Sequence, residues 1–286
     1  MYNGGGRSRE GGWSYDAPAS TGYIGTANIY GGTAVCNGYG ENSWNEWGSD
    51  TTGTITTANI FEDGYLYNGT RGATGFITTA NIEGGTVFNG DSVDGFSRIY
   101  GTGSIETANV NGGGMLHNGL FGSGSVGTAN VYDGTVSNGG FGTTGIIETA
   151  NVYGGTVYNG GVEVGCADEI FFANGGFSLS LSGFGLDFVG FGSTGIIHTA
   201  NIYGGEVYNG GFDIGPALGL GQGSGTIDTA NVYGGTLING YYAGDGFNVP
   251  TLTGRIGTVL LDGGTVVNAG QIDNLTYVSG TYNLKL

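Results

Sequence analysis

Basic residues are nearly absent: six lysines and arginines stand against 23 acidic residues, for a formal charge of −17 over 286 residues. Nucleic-acid partners need clustered lysine and arginine to replace condensed counterions, so that class is excluded. No run of about 18 apolar residues occurs, so no helix of this chain crosses a bilayer. Charged residues of either sign make up only 10% of the chain, and there are three prolines. The first residues, MYNGGGRSREGGWSYD, lack the apolar core of a secretory signal. The chain is therefore read as a piece of a longer exported precursor, or as a protein exported by another route. The two cysteines, Cys36 and Cys166, fall five or six repeat units apart, too far for a direct bridge unless a loop folds back, and are expected to be unpaired.

Glycine is abundant, with 67 residues, but lacks the every-third-residue spacing of collagen. Aromatic residues reach 12%, and β-branched residues are plentiful, which separates the chain from disordered glycine-rich tails. Gly145–Gly161 reads GIIETANVYGGTVYNGG, and close copies recur along the chain. The alanine of each copy stands at 27, 58, 80, 108, 129, 150, 200 and 230, with Val259 in the same place in a ninth copy. The shortest intervals are 21 and 22 residues, so one layer needs about 21. The interval of 50 between Ala150 and Ala200 suggests a decayed layer, with Ile170–Asn174 in the register of Ile147–Asn151.

Aligned columns tell which side chains face inward. Aliphatic residues sit three before the alanine (Ile24 to Ile256), two after it (Ile29 to Leu261), and again in the second half of the unit (Val87, Val136, Val157, Val207, Leu237, Val266). Thr156-Val157-Tyr158 shows the period-two alternation of a half-buried strand. Each unit reads as strand, Gly-Gly turn, strand, Asn-Gly turn and a loop of variable length. Strands this short build no core alone, and stacking supplies one. The expected architecture is all-β: a parallel β-solenoid of about ten glycine-rich layers over residues 22–286, after a poorly ordered lead-in at 1–21. Two asparagine columns, one from Asn28 to Asn231 and one from Asn37 to Asn268, are expected to form side-chain ladders. The glycine five residues before each alanine is expected to mark a bend with positive φ.

Few positions invite chemistry. The threonine rank from Thr26 to Thr258 is similar to the ice-binding surfaces of some β-solenoid antifreeze proteins. Aliphatics three before and two after the alanine require a break in alternation, which places Thr-Ala-Asn at a corner and counts against ice. Glu106, Glu148, His198 and Asp228 share an exposed column, with His198 and Asp228 on neighbouring layers. That pairing reads as a surface ion pair, and with so few basic groups no catalytic constellation is found. The GGxGxD calcium motif is absent, no metal cluster is evident, and no cofactor is implied. Two aromatic columns (Tyr30, Phe61, Tyr132, Tyr153, Tyr203, Tyr233, and Tyr67, Phe88, Tyr158, Tyr208) face outward, either as stabilising ladders or as rows that receive sugar rings or protein.

The TANVYGGTVYNGG unit, with paired glycines around short aliphatic strands, resembles the strand-loop-strand repeats of AIDA-type autotransporter adhesins and related large haemagglutinin-like proteins, over about residues 22 to 283. The resemblance implies a right-handed β-solenoid passenger displayed outside a Gram-negative cell, acting in adhesion, autoaggregation or biofilm contacts, with no catalytic residues. Departures are the longer, uneven units and the missing export signal and membrane barrel; the tail QIDNLTYVSGTYNLKL reads as the opening of another repeat type. The expected function is a non-enzymatic surface adhesin or filament segment, with an ice-binding solenoid and a glycan-binding or glycan-degrading phage or bacterial β-helix as alternatives. Its partners would be a host or bacterial surface glycan or protein, or another copy of itself, without membrane insertion by this segment. The links Gly38–Thr52, Gly90–Thr102, Gly210–Ser224 and Gly240–Thr253 are longest and leave from one corner. Trp44 and Trp47, near Glu41 and Glu46, and Tyr241 and Tyr242, near Asp245, are the candidate ligand-binding residues on them, because aromatic faces beside acids suit sugars.

Overall fold

The computed structural model describes residues 1–5, 20–39, 51–70, 72–91, 101–140, 143–160, 194–210, 223–240 and 253–285. They form 19 strands and no helix, and every strand pairing is parallel. Each repeat contributes a long and a short strand, such as β12 (Thr144–Val152) and β13 (Thr156–Asn159). Long strands pair with long strands of adjacent layers and short with short, giving two ladders joined by the Gly-Gly turn; near the C-terminus one strand (Thr253–Asn268) spans both ladders. The stack is a β-solenoid whose layers repeat at about 4.8 Å.

Four apolar columns fill the interior: Ile147, Ala150, Val152 and Val157, with their equivalents in the other layers, are almost wholly buried. The three aliphatic columns legible in the sequence are therefore the core, and the alanine is a fourth. Alternation breaks just before the threonine. The residue there, Glu148 in one layer and His198 in the next, drops out of the pairing register, which resumes at Thr149↔Thr199. Ile147 and Ala150 consequently both point inward although they are three residues apart.

The layer expected at Ile170–Asn174 does not intervene. Strand β12 pairs directly with β14 (Thr194–Ile202), Ala150 facing Ala200 and Val152 facing Ile202. Ile170 itself lies outside the described residues. The tenth layer is instead the C-terminal segment: β19 (Gln271–Leu284) runs in register on β18 (Thr253–Asn268), with Ile256↔Ile272, Val259↔Leu275 and Val266↔Tyr282. The tail is thus a rung of the same stack. At the other end, β1 (Tyr2–Gly5), within the expected lead-in, pairs with β3 (Ala34–Tyr39).

Between the end of each short strand and the next long strand lies a seam with no strand, closed by the buried asparagine column. Asn3, Asn37, Asn68, Asn89, Asn118, Asn138, Asn159, Asn209, Asn239 and Asn268 form one hydrogen-bonded chain. Each Nδ2 donates to the next Oδ1 at 2.7–2.8 Å. The second N–H of each from Asn3 to Asn239 donates to a long-strand carbonyl further up the stack, as Asn159 does to Thr226 at 3.0 Å. The Tyr282 hydroxyl accepts from Asn268 and ends the chain.

This ladder also explains the bend glycines. Gly145 and its equivalents do not have the positive φ expected of them. They are glycine because a Cβ at 145 would overlap the Asn118 carbonyl oxygen, Asn138 Oδ1 and the Gly139 nitrogen. Positive φ belongs instead to the glycine after each seam asparagine from Asn37 to Asn239, such as Gly160 at 79°, and to turn glycines such as Gly155 at 66°.

A half-buried second ladder, from Asn28 to Asn231, runs the opposite way: Asn151 Nδ2 donates back to Asn130 Oδ1, and Asn201 back to Asn151, each at 2.9 Å. The two ladders should respond differently to the same change. Asn159→Ala strands the Asn138 amide, Asn209 Oδ1 and the Thr226 carbonyl in a dry seam, at roughly 1–3 kcal/mol for each group left unpaired. Asn151→Ala lets water replace the amide and should cost less than about 1 kcal/mol. Urea unfolding of the two variants measures the difference.

Candidate functional site

The candidate residues Trp44, Trp47, Tyr241 and Tyr242 lie outside the described residues, as does Cys166; Cys36 is buried. What the structure describes is where their links begin and end. The described chain breaks off after Tyr39, Asp91, Gly160, Gly210 and Gly240, at or one residue beyond the glycine that follows a seam asparagine and has φ of 67–79°. It re-enters one layer on at Thr52, Thr102, Thr194, Ser224 and Thr253, which pair in a single column together with Thr74. The ends of five long links, including the 161–193 stretch first read as a decayed layer, therefore lie along one longitudinal edge.

The outward face of the long ladder carries three further columns. Beside the break, His198 Nδ1 lies 2.6 Å from Asp228 Oδ2 and its Nε2 3.9 Å from Glu148 Oε2, all three well exposed. The Asp228 hydrogen bond and both carboxylates raise the imidazole pKa. This is the surface ion pair the sequence implied, extended to a third layer. No nucleophile accompanies it, and among the described residues no group of three metal-ligating side chains could hold an ion. Beyond the break, Thr149 and Asn151 both face outward from one unbroken strand, as do their equivalents. The corner therefore sits at Glu148 rather than at Thr-Ala-Asn, which corrects the expectation. Among the described residues none of these threonine hydroxyls bonds to protein.

The aromatic columns differ from each other. Tyr132, Tyr153, Tyr203 and Tyr233 stack with centroids 5.0–5.3 Å apart and planes within 14°. Their ring faces cover one another, so edges and hydroxyls meet solvent, and a sugar finds no free face except at the column ends. Tyr67 and Phe88 face away from the main core yet are buried, with Cys36 and Leu120, in a satellite cluster flanked by Tyr39, Tyr65 and Phe121. His117 continues this column, 5.0 Å from Phe88 and 3% exposed, and Ser137 follows it in the next layer. His117 Nδ1 and Ser137 Oγ are both buried without a hydrogen-bond partner. Sequence reasoning passed over His117 because the column otherwise alternates outward.

Burial lowers the His117 pKa to about 4. In the unfolded chain the same imidazole takes its proton near 6.5. Its neutral form therefore leaves stability intact above pH 6.5, and stability is lost as pH falls from 6.5 towards 4, by about 1.4 kcal/mol per pH unit at most. His198 has the opposite sign, its contribution present below its unfolded pKa and lost as pH rises, but it is screened by solvent. The His117→Phe variant, which extends the Tyr67–Phe88 stack, should flatten the decline between pH 6.5 and 4 in denaturant titrations.

Compared with known proteins, the chain matches no family model, no curated protein and no solved structure, so its function is argued from the geometry above.

Proposed function

We propose that this chain is a non-enzymatic scaffold segment of an extracellular adhesin or surface filament, part of a longer exported protein. The observation that carries the reading is the collinearity of the ends of the five long links. A rigid stack holds their roots at fixed heights along one edge, and insertions on one face of a repeat array commonly form its binding surface. The resemblance of TANVYGGTVYNGG to autotransporter adhesin repeats points the same way. Its partner would be a surface glycan or protein, or another copy of the chain, met by aromatic residues on the excursions because the tyrosine faces of the stack are already covered. Replacing Trp44 and Trp47 together, or Tyr241 and Tyr242 together, by alanine should reduce binding to cells or to a glycan array. Stability should change by no more than about 1 kcal/mol. Full binding by both double variants would remove the edge from consideration.

A second reading, ice binding, is favoured by the outward Thr-x-Asn strand. Its threonines repeat at about 4.8 Å along the stack, and each lies about 6.7 Å from the asparagine rank, a two-dimensional array of hydroxyls and amides whose protein partners are few and regular. Inhibition of ice recrystallisation that disappears in a Thr107→Lys, Thr149→Lys double variant would support it; no inhibition by the parent chain would end it.

A further inference from the structure

The tyrosine column has a property that neither adhesion nor ice binding uses. Tyr132, Tyr153, Tyr203 and Tyr233 occupy four consecutive layers, 42–49% exposed, with centroid separations of 5.0, 5.1 and 5.3 Å and interplanar angles of 7°, 8° and 14°. Their backbones are fixed one layer apart: the amides of Tyr153, Tyr203 and Tyr233 each donate at 2.8 Å to the carbonyl of the core residue below, Val131, Val152 and Ile202. The column is bounded at both ends by non-aromatic residues, Asn111 below and Asp262 above. In the same column near the N-terminus, Tyr30 stacks on Phe61 at 4.7 Å, a pair in which only one ring is a phenol.

We propose that this ladder is a site of oxidative cross-linking, in which a haem peroxidase with hydrogen peroxide joins neighbouring tyrosines of one chain as dityrosine. Each of two phenols loses one electron and one proton, giving phenoxyl radicals with spin on the oxygen and on the ring carbons ortho to it. A carbon–carbon bond forms between ortho carbons of two adjacent rings, each such carbon passes its hydrogen to the phenolic oxygen, and both rings regain aromaticity. Two hydrogens leave per bond, and one peroxide is reduced to two waters.

The geometry favours this in three ways. Stacked rings present their π faces to each other, the orientation from which the first bond develops. Four like phenols at constant spacing exchange an electron with little change in driving force, so two radicals formed anywhere in the ladder come to rest on neighbours. The exposed hydroxyls release their protons to water. Rings then tilt about Cβ to accommodate the bond. A bond between Tyr153 and Tyr203 would close the chain across residues 161–193, and a cross-link over a loop of that length constrains the unfolded chain as a disulfide does.

The experiment treats the full chain with horseradish peroxidase and hydrogen peroxide at low protein concentration. Dityrosine fluorescence should appear in material that remains monomeric on a denaturing gel, with intact mass lowered by two hydrogens per link. Peptide mapping should find Tyr132–Tyr153, Tyr153–Tyr203 or Tyr203–Tyr233. The Tyr153→Phe, Tyr203→Phe double variant keeps the stack but separates the remaining phenols of the ladder, and should lose the links mapped to it, leaving among the described residues only the Tyr158–Tyr208 pair stacked at 5.2 Å in the other aromatic column. A Tyr23→Phe, Tyr277→Phe variant, which removes two strongly exposed tyrosines outside the ladder, should keep those links. Links found only between chains, or undiminished in the Tyr153 and Tyr203 variant while circular dichroism is unchanged, would overturn the proposal.

Discussion

Everything in this stack depends on the buried asparagine chain along the seam. A rung needs closure on three sides, and strands supply only two of them. At the third, the peptide would otherwise leave carbonyls and amides dry and unpaired, a cost of about 1–3 kcal/mol each. One primary amide per layer resolves this, because it has two N–H groups and an acceptor oxygen: one N–H continues the chain of asparagines, the other reaches across to the long strand, and the oxygen accepts from below. The geometry of the seam does not register the length of the excursion it spans. Asn118 to Asn138, 20 residues apart, bond at 2.8 Å, and Asn159 to Asn209, 50 apart, bond at 2.8 Å. Loops can therefore differ widely among layers while the register stays constant.

The same amide column dictates composition. Its oxygens lie where a side chain at the first glycine of the long strand would go, so that glycine is fixed by proximity and not by backbone torsion. The next requirement is the break beside Glu148. By removing one residue from the alternation it turns both Ile147 and Ala150 inward and leaves Thr149 and Asn151 on a common outer surface. Alanine fills this position from Ala27 to Ala230, since the core columns on either side already carry branched side chains; the larger Val259 and Leu275 take it only in the last two layers.

Most of this was legible because repetition turns one sequence into many observations of one environment. The aliphatic columns, both asparagine ladders and the surface pairing of His198 with Asp228 follow from alignment of the copies. The errors have physical causes. Ile170–Asn174 matches the middle of a unit but has Asp168 where the close-packed glycine belongs, and Ser182 or Gly183 where the seam asparagine belongs, so it has no means of closing a rung. The tenth layer, β19, escaped notice for the converse reason: it stacks on the core through Ile272, Leu275 and Tyr282 yet lacks the asparagines and the Gly-Gly pair. The buried column of Tyr67, Phe88 and His117 looked exposed because a period-two pattern says which side of a strand a residue faces, and nothing about what packs over that side. The candidate aromatics at 44, 47, 241 and 242 were chosen for their place beside acids on the longest links, and they lie outside the residues the structure describes.

A parallel, in-register stack also limits which residues can be repeated. Every side chain sees its own counterpart at about 4.8 Å above and below, so a column of carboxylates would set like charges face to face, a destabilising arrangement. Threonine, asparagine and tyrosine can be stacked without that cost, and they dominate the outward columns. Where acids do enter, the column is interrupted. Gly127 separates Glu106 from Glu148, and His198 stands between Glu148 and Asp228, within 2.6 Å of the latter. The imidazole is held more basic by the carboxylates it divides, so its charge is drawn from the arrangement it relieves. The low charge content of the chain is then a consequence of the architecture: a rung can carry an acid only where the rungs beside it do not.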